Sequence, residues 1–267
     1  MTDSDRILVF IPAYRCAPQI VRVLDQFADP TLHERFDEIL VIDNRSPDDT
    51  AEAAVERARS LGTGRMSVAR NVDNFGLGGS HKSAFTYALA NAFSHVLVLH
   101  GDDQGDIRDA LPVLDAGEHR HYDCCLGARF HPRARIQGYS PLRVAGNHVF
   151  NGLFSLGSGR RLYDLGSGLN LYRVEPLADR YWLRFPDNLM FNYCMILAHV
   201  HRGDRIRFFP ISWREEDQLS NVKLVSQATR TLGILASYVV SRRRFLEREL
   251  REEPRQAYEF EILAGGL

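Results

Sequence analysis

Cysteine is scarce, with four in 267 residues, and Cys16, Cys124, Cys125 and Cys194 form no C-x-x-C pair. A disulfide framework and a zinc ribbon are both excluded on that count. Cys124 and Cys125 adjoin, but "YDCCLGA" reads as an apolar strand in which thiols are packing groups. Long apolar runs are absent too, and nothing approaches the ~20 residues needed to cross a bilayer. The opening "MTDSDRILVF" lacks the basic start and apolar core of a secretory signal, so the expected compartment is the cytoplasm. No sign of charge is in excess: 33 Lys and Arg face 34 Asp and Glu. Nucleic acid is therefore not expected as a partner, and any charged ligand must be met by a local cluster. Repeats and low-complexity linkers are missing as well, so residues 1–267 are expected to form a single domain.

Strands and helices alternate through the first half. "RILVFIPA" is a continuous apolar strand, and residues 17–27 follow with Ile20, Val21, Leu24 and Phe27 at helical spacing. "DEILVIDN" is a second strand, closed by the turn formers of "NRSPDD" and followed by an alanine-rich helix over 50–61. "MSVAR", "SHVLVLH" and "DCCLGA" are further strands. A glycine-rich loop, "NFGLGG", feeds a helix before the fourth strand, and residues 107–116 form a helix after it. Strands apolar on both faces, separated by single helices, predict an α/β fold: a mostly parallel central sheet with helices on both faces. Ligands of such sheets bind outside the carboxyl ends of the strands. "PAYRC", "DNRSPDD" and "HGDDQGD" all stand at those ends and should converge. Beyond residue 128 the chain is basic and turn-rich, then predicts helices over 144–156 and 189–201, a strand "RIRFFPISW", and a long helix over 222–251.

The acidic loop "LHGDDQGDI" places Asp102, Asp103 and Asp106 within five positions. Clustered carboxylates repel unless a cation is present. Mg²⁺ and Mn²⁺ take oxygen ligands, and Mg²⁺ keeps one or two protein carboxylates and fills its remaining positions with water and phosphate. Capping of the helix at 107 explains Asp106 but not Asp102 and Asp103. Asp43, just past a strand, suits a base N–H or a ribose hydroxyl. Gly78 and Lys82, at the start of a helix, suit a phosphate. Each of these clusters alone is equally a solvated turn or an ordinary cap.

Taken together, "IPAYRC", "VIDNRSPDDTAE", "NFGLGGSHK", "LHGDDQ", "LGARF" and "DLGSGLNLYR" occur in one order and rough spacing. Over residues 6–223 the sequence resembles the inverting family 2 glycosyltransferases of the GT-A fold, within them the dolichyl-phosphate mannose synthase-like group. The resemblance implies a nucleotide-sugar-binding half over 1–128, an acceptor-binding half over 129–223 and a helical tail over 224–267. It assigns Pro12, Ala13, Tyr14 and Asp43 to the base and ribose of a nucleotide-diphosphate sugar. It makes "LHGDDQ" the metal motif, with Asp102 and Gln104 toward Mn²⁺ or Mg²⁺ and Asp103 in support. His100 replaces the motif's first aspartate. Imidazole is a better ligand for Mn²⁺ than for Mg²⁺, so a preference for Mn²⁺ is expected.

On the acceptor side the resemblance assigns Arg129 and Arg143 to an acceptor phosphate and Asp164 to the reaction centre. Arg214, Ser220 and Lys223 fall on a late loop that closes over the donor. Two departures stand out: Asn170 replaces an arginine, and Cys194 replaces a glutamate that would serve as base. A hydroxyl acceptor needs a base and a phosphate does not. The expected reaction is therefore metal-dependent transfer to a polyprenyl or dolichyl phosphate. Two alternatives stand beside it: transfer to a hydroxyl of a glycan or small metabolite, and a nucleotide-sugar-binding protein that has lost catalysis. The tail is expected to pack on the domain. The alternative is that Arg242, Arg243 and Arg244 touch a membrane surface peripherally.

Overall fold

The computed structural model describes residues 5–215 and 224–267. Its main sheet has eight strands: β1 (Ile7–Ala13), β2 (Glu38–Asp43), β3 (Met66–Asn71), β4 (His95–Leu99), β5 (Cys124–Ala128), β7 (Leu169–Arg173), β8 (Ile206–Pro210) and β10 (Phe260–Ala264). A separate parallel pair joins β6 (Arg135–Gln137) to β9 (Ser212–Arg214). The helices are α1 (Ala17–Asp25), α2 (Pro30–His33), α3 (Thr50–Leu61), α4 (Gly76–Ala90), α5 (Leu111–Asp115), α6 (Pro141–Ser158), α7 (Met190–Arg202), α8 (Leu224–Val240) and α9 (Arg242–Phe245). Strand order in the main sheet is β10-β3-β2-β1-β4-β7-β5-β8.

The continuous apolar strands are buried on both faces, and alternation divides them between two cores. Leu8, Phe10, Leu40, Ile42, Val96 and Val98 face one core, shared with Ala84 and Phe85 of α4 and with much of α7. Val9, Ile11, Ile39, Val41, Leu97 and Leu99 face the other, shared with Ile20 and Leu24 of α1 and Ala54 and Ala58 of α3. α3 ends at Gly62, whose φ of 59° is the left-handed stop that glycine favours. All four cysteines are buried and unpaired, and burial holds the Cys16 and Cys125 thiols up to about 12.

β1 to β4 are parallel, while β7 runs antiparallel to both β4 and β5. This reversal brings the loop preceding β7 to the carboxyl end of β4. The His100 N–H donates to Gly168 O at 2.9 Å, and a Cβ at Gly168 would lie 2.8 Å from the His100 ring. Gly168 is thus required for the two segments to meet.

Three elements differ from expectation. The helix at 107–116 is a 3₁₀ turn, Ile107–Ala110, followed by α5, with Asp106 capping it through the Arg108 N–H at 2.9 Å. The glycine segment is itself helical: α4 begins at Gly76 (φ 71°), so Lys82 stands in its second turn. The tail is not wholly helical. α8 ends at Val240, α9 is short, and the chain returns as β10 to pair antiparallel with β3 at the sheet edge. Among the described residues no helix is long and apolar enough to cross a membrane.

Candidate active site

A cavity of about 400 Å³ opens at the carboxyl ends of β1, β2 and β4, within the size range of small-molecule sites. Pro12, Ala13 and Tyr14 line it from β1, Asn44 from β2, and His100, Gly101 and Asp102 from β4. Gly76, Leu77 and Ser80 of α4 form a further wall with Asn188 and Leu189. The Gly101 N–H donates to Pro12 O at 3.0 Å, which stitches the ends of β1 and β4 together. The convergence of three polar segments thus follows from the parallel order of these strands.

The acidic loop separates into different roles. Asp102 lines the cavity and accepts from the Gln104 N–H at 3.3 Å. Burial is the main cause that pushes its carboxyl up to about 6, and the charge of Asp103 adds to it. Asp103 instead turns inward: it is buried, has a φ of 59°, and pairs with Arg22 of α1 at 2.6 Å and Arg214 of β9 at 2.5 Å. Two guanidiniums already neutralise it, so it ties loop, helix and strand together. Gln104 engages β9 through its backbone, accepting from the Arg214 N–H at 3.1 Å.

His100 borders the cavity, yet its Nε2 is buried without a hydrogen-bond partner among the described residues. Burial, and secondarily the charge of Arg129, holds its pKa down to about 4, so the ring is neutral. Among the described residues no group of three or more His, Cys, Asp or Glu forms a metal cage. The donor set nevertheless fits a hard divalent ion shared with a diphosphate, which needs only one or two protein ligands. Asp102 is the carboxylate present for it, with His100 adjoining.

The donor wall contains a polar network that the sequence analysis missed. Asn44 accepts from the Phe75 N–H at 2.9 Å and from Asn71 Nδ2 at 3.0 Å, and donates to Asn74 at 2.8 Å. Asn71 also donates to Ser80 at 3.0 Å. The only signal was Asn44 itself, at the end of "VIDN", where a buried amide needs partners. Its neighbour Asp43, expected at the base or ribose, is fully buried and accepts from Arg70 Nε at 3.0 Å and the Ser46 N–H at 3.2 Å.

Lys82 and Gly78 also lie elsewhere than expected. The Lys82 ammonium is fully buried and donates to Phe185 O and Asp187 at 2.5 Å and to Tyr258 at 3.2 Å. Burial lowers its pKa to about 8, opposed by the Asp187 carboxylate. It braces the wall that carries Asn188 and Leu189 rather than reaching a phosphate. A Cβ at Gly78 would fall 2.4 Å from Pro186 O, so that glycine serves close packing on the same segment.

On the acceptor side, Arg129 and Asp164 form a buried bidentate pair at 2.8 and 2.7 Å. Asp164 also accepts from the backbone N–H groups of Arg129 and Gly166 at 2.8 and 3.1 Å, so both its oxygens are engaged twice. The Arg129 guanidinium lies 4.9 Å from the Trp213 ring centroid. Arg143 pairs with Glu215 and sits 4.6 Å from the ring of Tyr139. Asn170 turns back on its own loop, donating to Ser167 O at 2.9 Å. Cys194 is fully buried in the core. Arg214 is engaged by Asp103, and Ser220 and Lys223 lie outside the described residues.

Comparison with known proteins agrees with this architecture. The model of the glycosyl transferase family 2 matches residues 8–180. An undecaprenyl-phosphate mannosyltransferase of Micrococcus luteus is 23% identical over 172 residues, covering 64% of this chain and 68% of the relative. Glucosyl-3-phosphoglycerate synthase from Mycobacterium tuberculosis, solved in complex with uridine diphosphate, superposes with a TM-score of 0.62 at 16% identity, covering 89% of this chain and 81% of that one. Mannosyl-3-phosphoglycerate synthase from Rubrobacter xylanophilus gives 0.62 at 17% identity, over 94% and 77%. The M. tuberculosis enzyme has also been solved with Mn²⁺, UDP-glucose and glycerol 3-phosphate. These two structures share the fold, and the family match spans well over half of the sequence: the chain belongs to glycosyl transferase family 2 and is a glycosyltransferase that uses a nucleotide sugar.

Proposed function

We propose that the protein transfers a sugar from a nucleotide-diphosphate sugar to the phosphate of a polyprenyl lipid, with inversion at the anomeric carbon. The nucleotide occupies the cavity above β1, β2 and β4, between Tyr14 and the wall made by α4 and Leu189. Asp102, with His100 adjoining, would hold a divalent ion there, which when bound supplies positive charge to the departing diphosphate. Asp103 holds the Asp102 loop in place through Arg22 and Arg214.

The observation that carries the acceptor is the state of the carboxylate expected at the reaction centre. Asp164 accepts four hydrogen bonds, three of them from Arg129, and the helical position of the family's glutamate is a buried thiol. Neither group is set to take a proton from an attacking hydroxyl. A phosphate monoester is already anionic and needs only to be positioned. The same Arg129 and Arg143 sit where an anionic acceptor could exchange with their present carboxylate partners.

The test offers labelled nucleotide sugars with Mn²⁺ to two acceptors separately: a polyprenyl phosphate in detergent, and 3-phosphoglycerate, suggested by the names of the structural neighbours. Label in an organic-soluble, acid-labile product is expected. Label only in a water-soluble glycoside would overturn the lipid acceptor and favour a hydroxyl.

A further inference from the structure

Seven of the twelve large hydrophobic side chains exposed among the described residues belong to two adjoining helices. On α6, Leu142, Val149, Leu153 and Leu156 follow one another at seven, four and three residues, a single helical stripe. Leu142 and Leu156 are 79% and 83% exposed. Across this 18-residue helix, about 27 Å long, the exposed positions carry no Asp, Glu, Lys or Arg. On α8, Leu232, Val239 and Val240 repeat the pattern, Val240 being 84% exposed. The two helices touch at Gly157, where a Cβ would lie 2.7 Å from Leu235 and 3.2 Å from Val239. An apolar surface of this extent on a monomer marks an interaction site.

Charge identifies what it meets. Arg242, Arg243 and Arg244 follow Val240 after a single serine, Ser241, and are exposed. Arg242 donates to Gly157 O at 2.8 Å, which fixes the run against the carboxyl end of α6. Arg161, three residues beyond that end, is also exposed and packs on Tyr163. None of these four arginines has a carboxylate within ion-pair distance among the described residues, whereas Glu249, Glu252 and Glu253 are engaged by Arg251, Arg230 and Arg255. The glutamates that dilute the basic run in sequence therefore do not neutralise it in space. Glu247 is the one acid of the segment outside these pairs.

We propose that α6 and α8 form a docking face for an anionic lipid bilayer, with the leucine and valine stripe entering the headgroup boundary and the four arginines meeting lipid phosphates. A second copy of the chain fits less well, because a twofold contact through this face would set arginines against arginines. The inference rests on this surface and not on the identity of the acceptor.

Co-sedimentation of the full chain with vesicles of phosphatidylcholine, with and without phosphatidylglycerol, tests it in the absence of any polyprenyl phosphate. Binding is expected to rise at least tenfold with the anionic lipid and to weaken with salt. Leu156→Asp/Val240→Asp, and separately Arg242→Gln/Arg243→Gln/Arg244→Gln, should each lower it at least tenfold, with an unchanged melting temperature and unchanged affinity for a nucleoside diphosphate. Binding indifferent to lipid charge and to these substitutions, or no binding, would overturn the proposal. So would a dimer in solution that Leu156→Asp/Val240→Asp converts to monomer. Turnover on detergent-dispersed polyprenyl phosphate is measured apart, so loss of the lipid-acceptor reading would leave this result standing.

Discussion

Burial of Asp102 carries a cost to stability. Its folded-state pKa lies near 6, above the ordinary 3.8, chiefly because of burial. The fold therefore favours the protonated acid: that contribution is complete below pH 3.8 and is lost as pH rises through about 6. At pH 8 the buried carboxylate costs on the order of 3 kcal/mol unless a cation offsets it. Asp102→Asn should accordingly raise the melting temperature at pH 8 without metal, and lower turnover about 10²-fold. Mn²⁺ should stabilise the parent protein above pH 6 but not this variant, and turnover should fall as pH drops through 6. Calorimetry and a pH–rate profile in both proteins check the four outcomes. An Asp102→Asn protein with near-normal turnover would remove this residue from the chemistry.

The sequence expected the acidic loop at the carboxyl ends of the parallel strands, and Asp102 lines the cavity there, because the end of such a strand leaves a loop residue few other places to go. It gave Asp103 a supporting role at the metal, which the folded loop does not show. The two adjoin in sequence, but a left-handed φ at Asp103 sends its side chain to arginines 81 and 111 positions away. The expected Mn²⁺ preference rested on His100 as a ligand. The ring borders the cavity, neutral, with Nε2 buried and without a hydrogen-bond partner among the described residues.

Among the elements, the tail holds most of what the sequence concealed. Strong periodicity made 222–251 read as one helix. The return toward β10 is held by partners 71 and 182 residues away. Tyr258 donates to Asp187 at 2.7 Å and packs on Phe75 at 5.3 Å between ring centroids, while Arg255 pairs with Asp73. These contacts clamp the start of α4 to the segment that carries Asn188 and Leu189, and so fix one wall of the donor cavity. Removing residues 252–267 should weaken nucleotide affinity at least tenfold while Asp102 stays intact, measured by titration calorimetry. Asp187→Ala, which strips the buried Lys82 ammonium of its carboxylate, should cost about 3–5 kcal/mol in urea unfolding. Affinity unchanged by the truncation would show that the wall stands without its clamp. The parallel core strands were legible because each is apolar on both faces. β10, "FEILA", is an edge strand exposed at Glu261, Ile262 and Leu263, so no buried apolar pattern marks it in the sequence.

At the scale of the whole molecule, two chemistries meet along one seam. β7 runs against its neighbours, so the loop at 164–168 arrives beside His100, and the Arg129–Asp164 pair faces the end of β4 from across the sheet. The docking face of α6 begins at Pro141, just beyond this region. A nucleoside diphosphate together with Mn²⁺ should stabilise the protein by more than the sum of either alone, because cation and diphosphate share ligands. At a hundredfold excess over Kd the gain is about 3 kcal/mol, several degrees in a thermal shift. Simple additivity would place the ion away from the nucleotide.

The pairing of Phe260 with Asn71 closes a loop of about 190 residues, among the longest-range contacts the chain makes, and such contacts form late. During synthesis, β1 to β4 and the floor of the cavity can assemble long before residue 258 has been made. The wall behind Leu77 and Leu189 cannot be clamped until it has. A nascent chain will thus own most of the cavity before its last wall is held, and its affinity for a nucleotide should rise when the tail returns to the sheet.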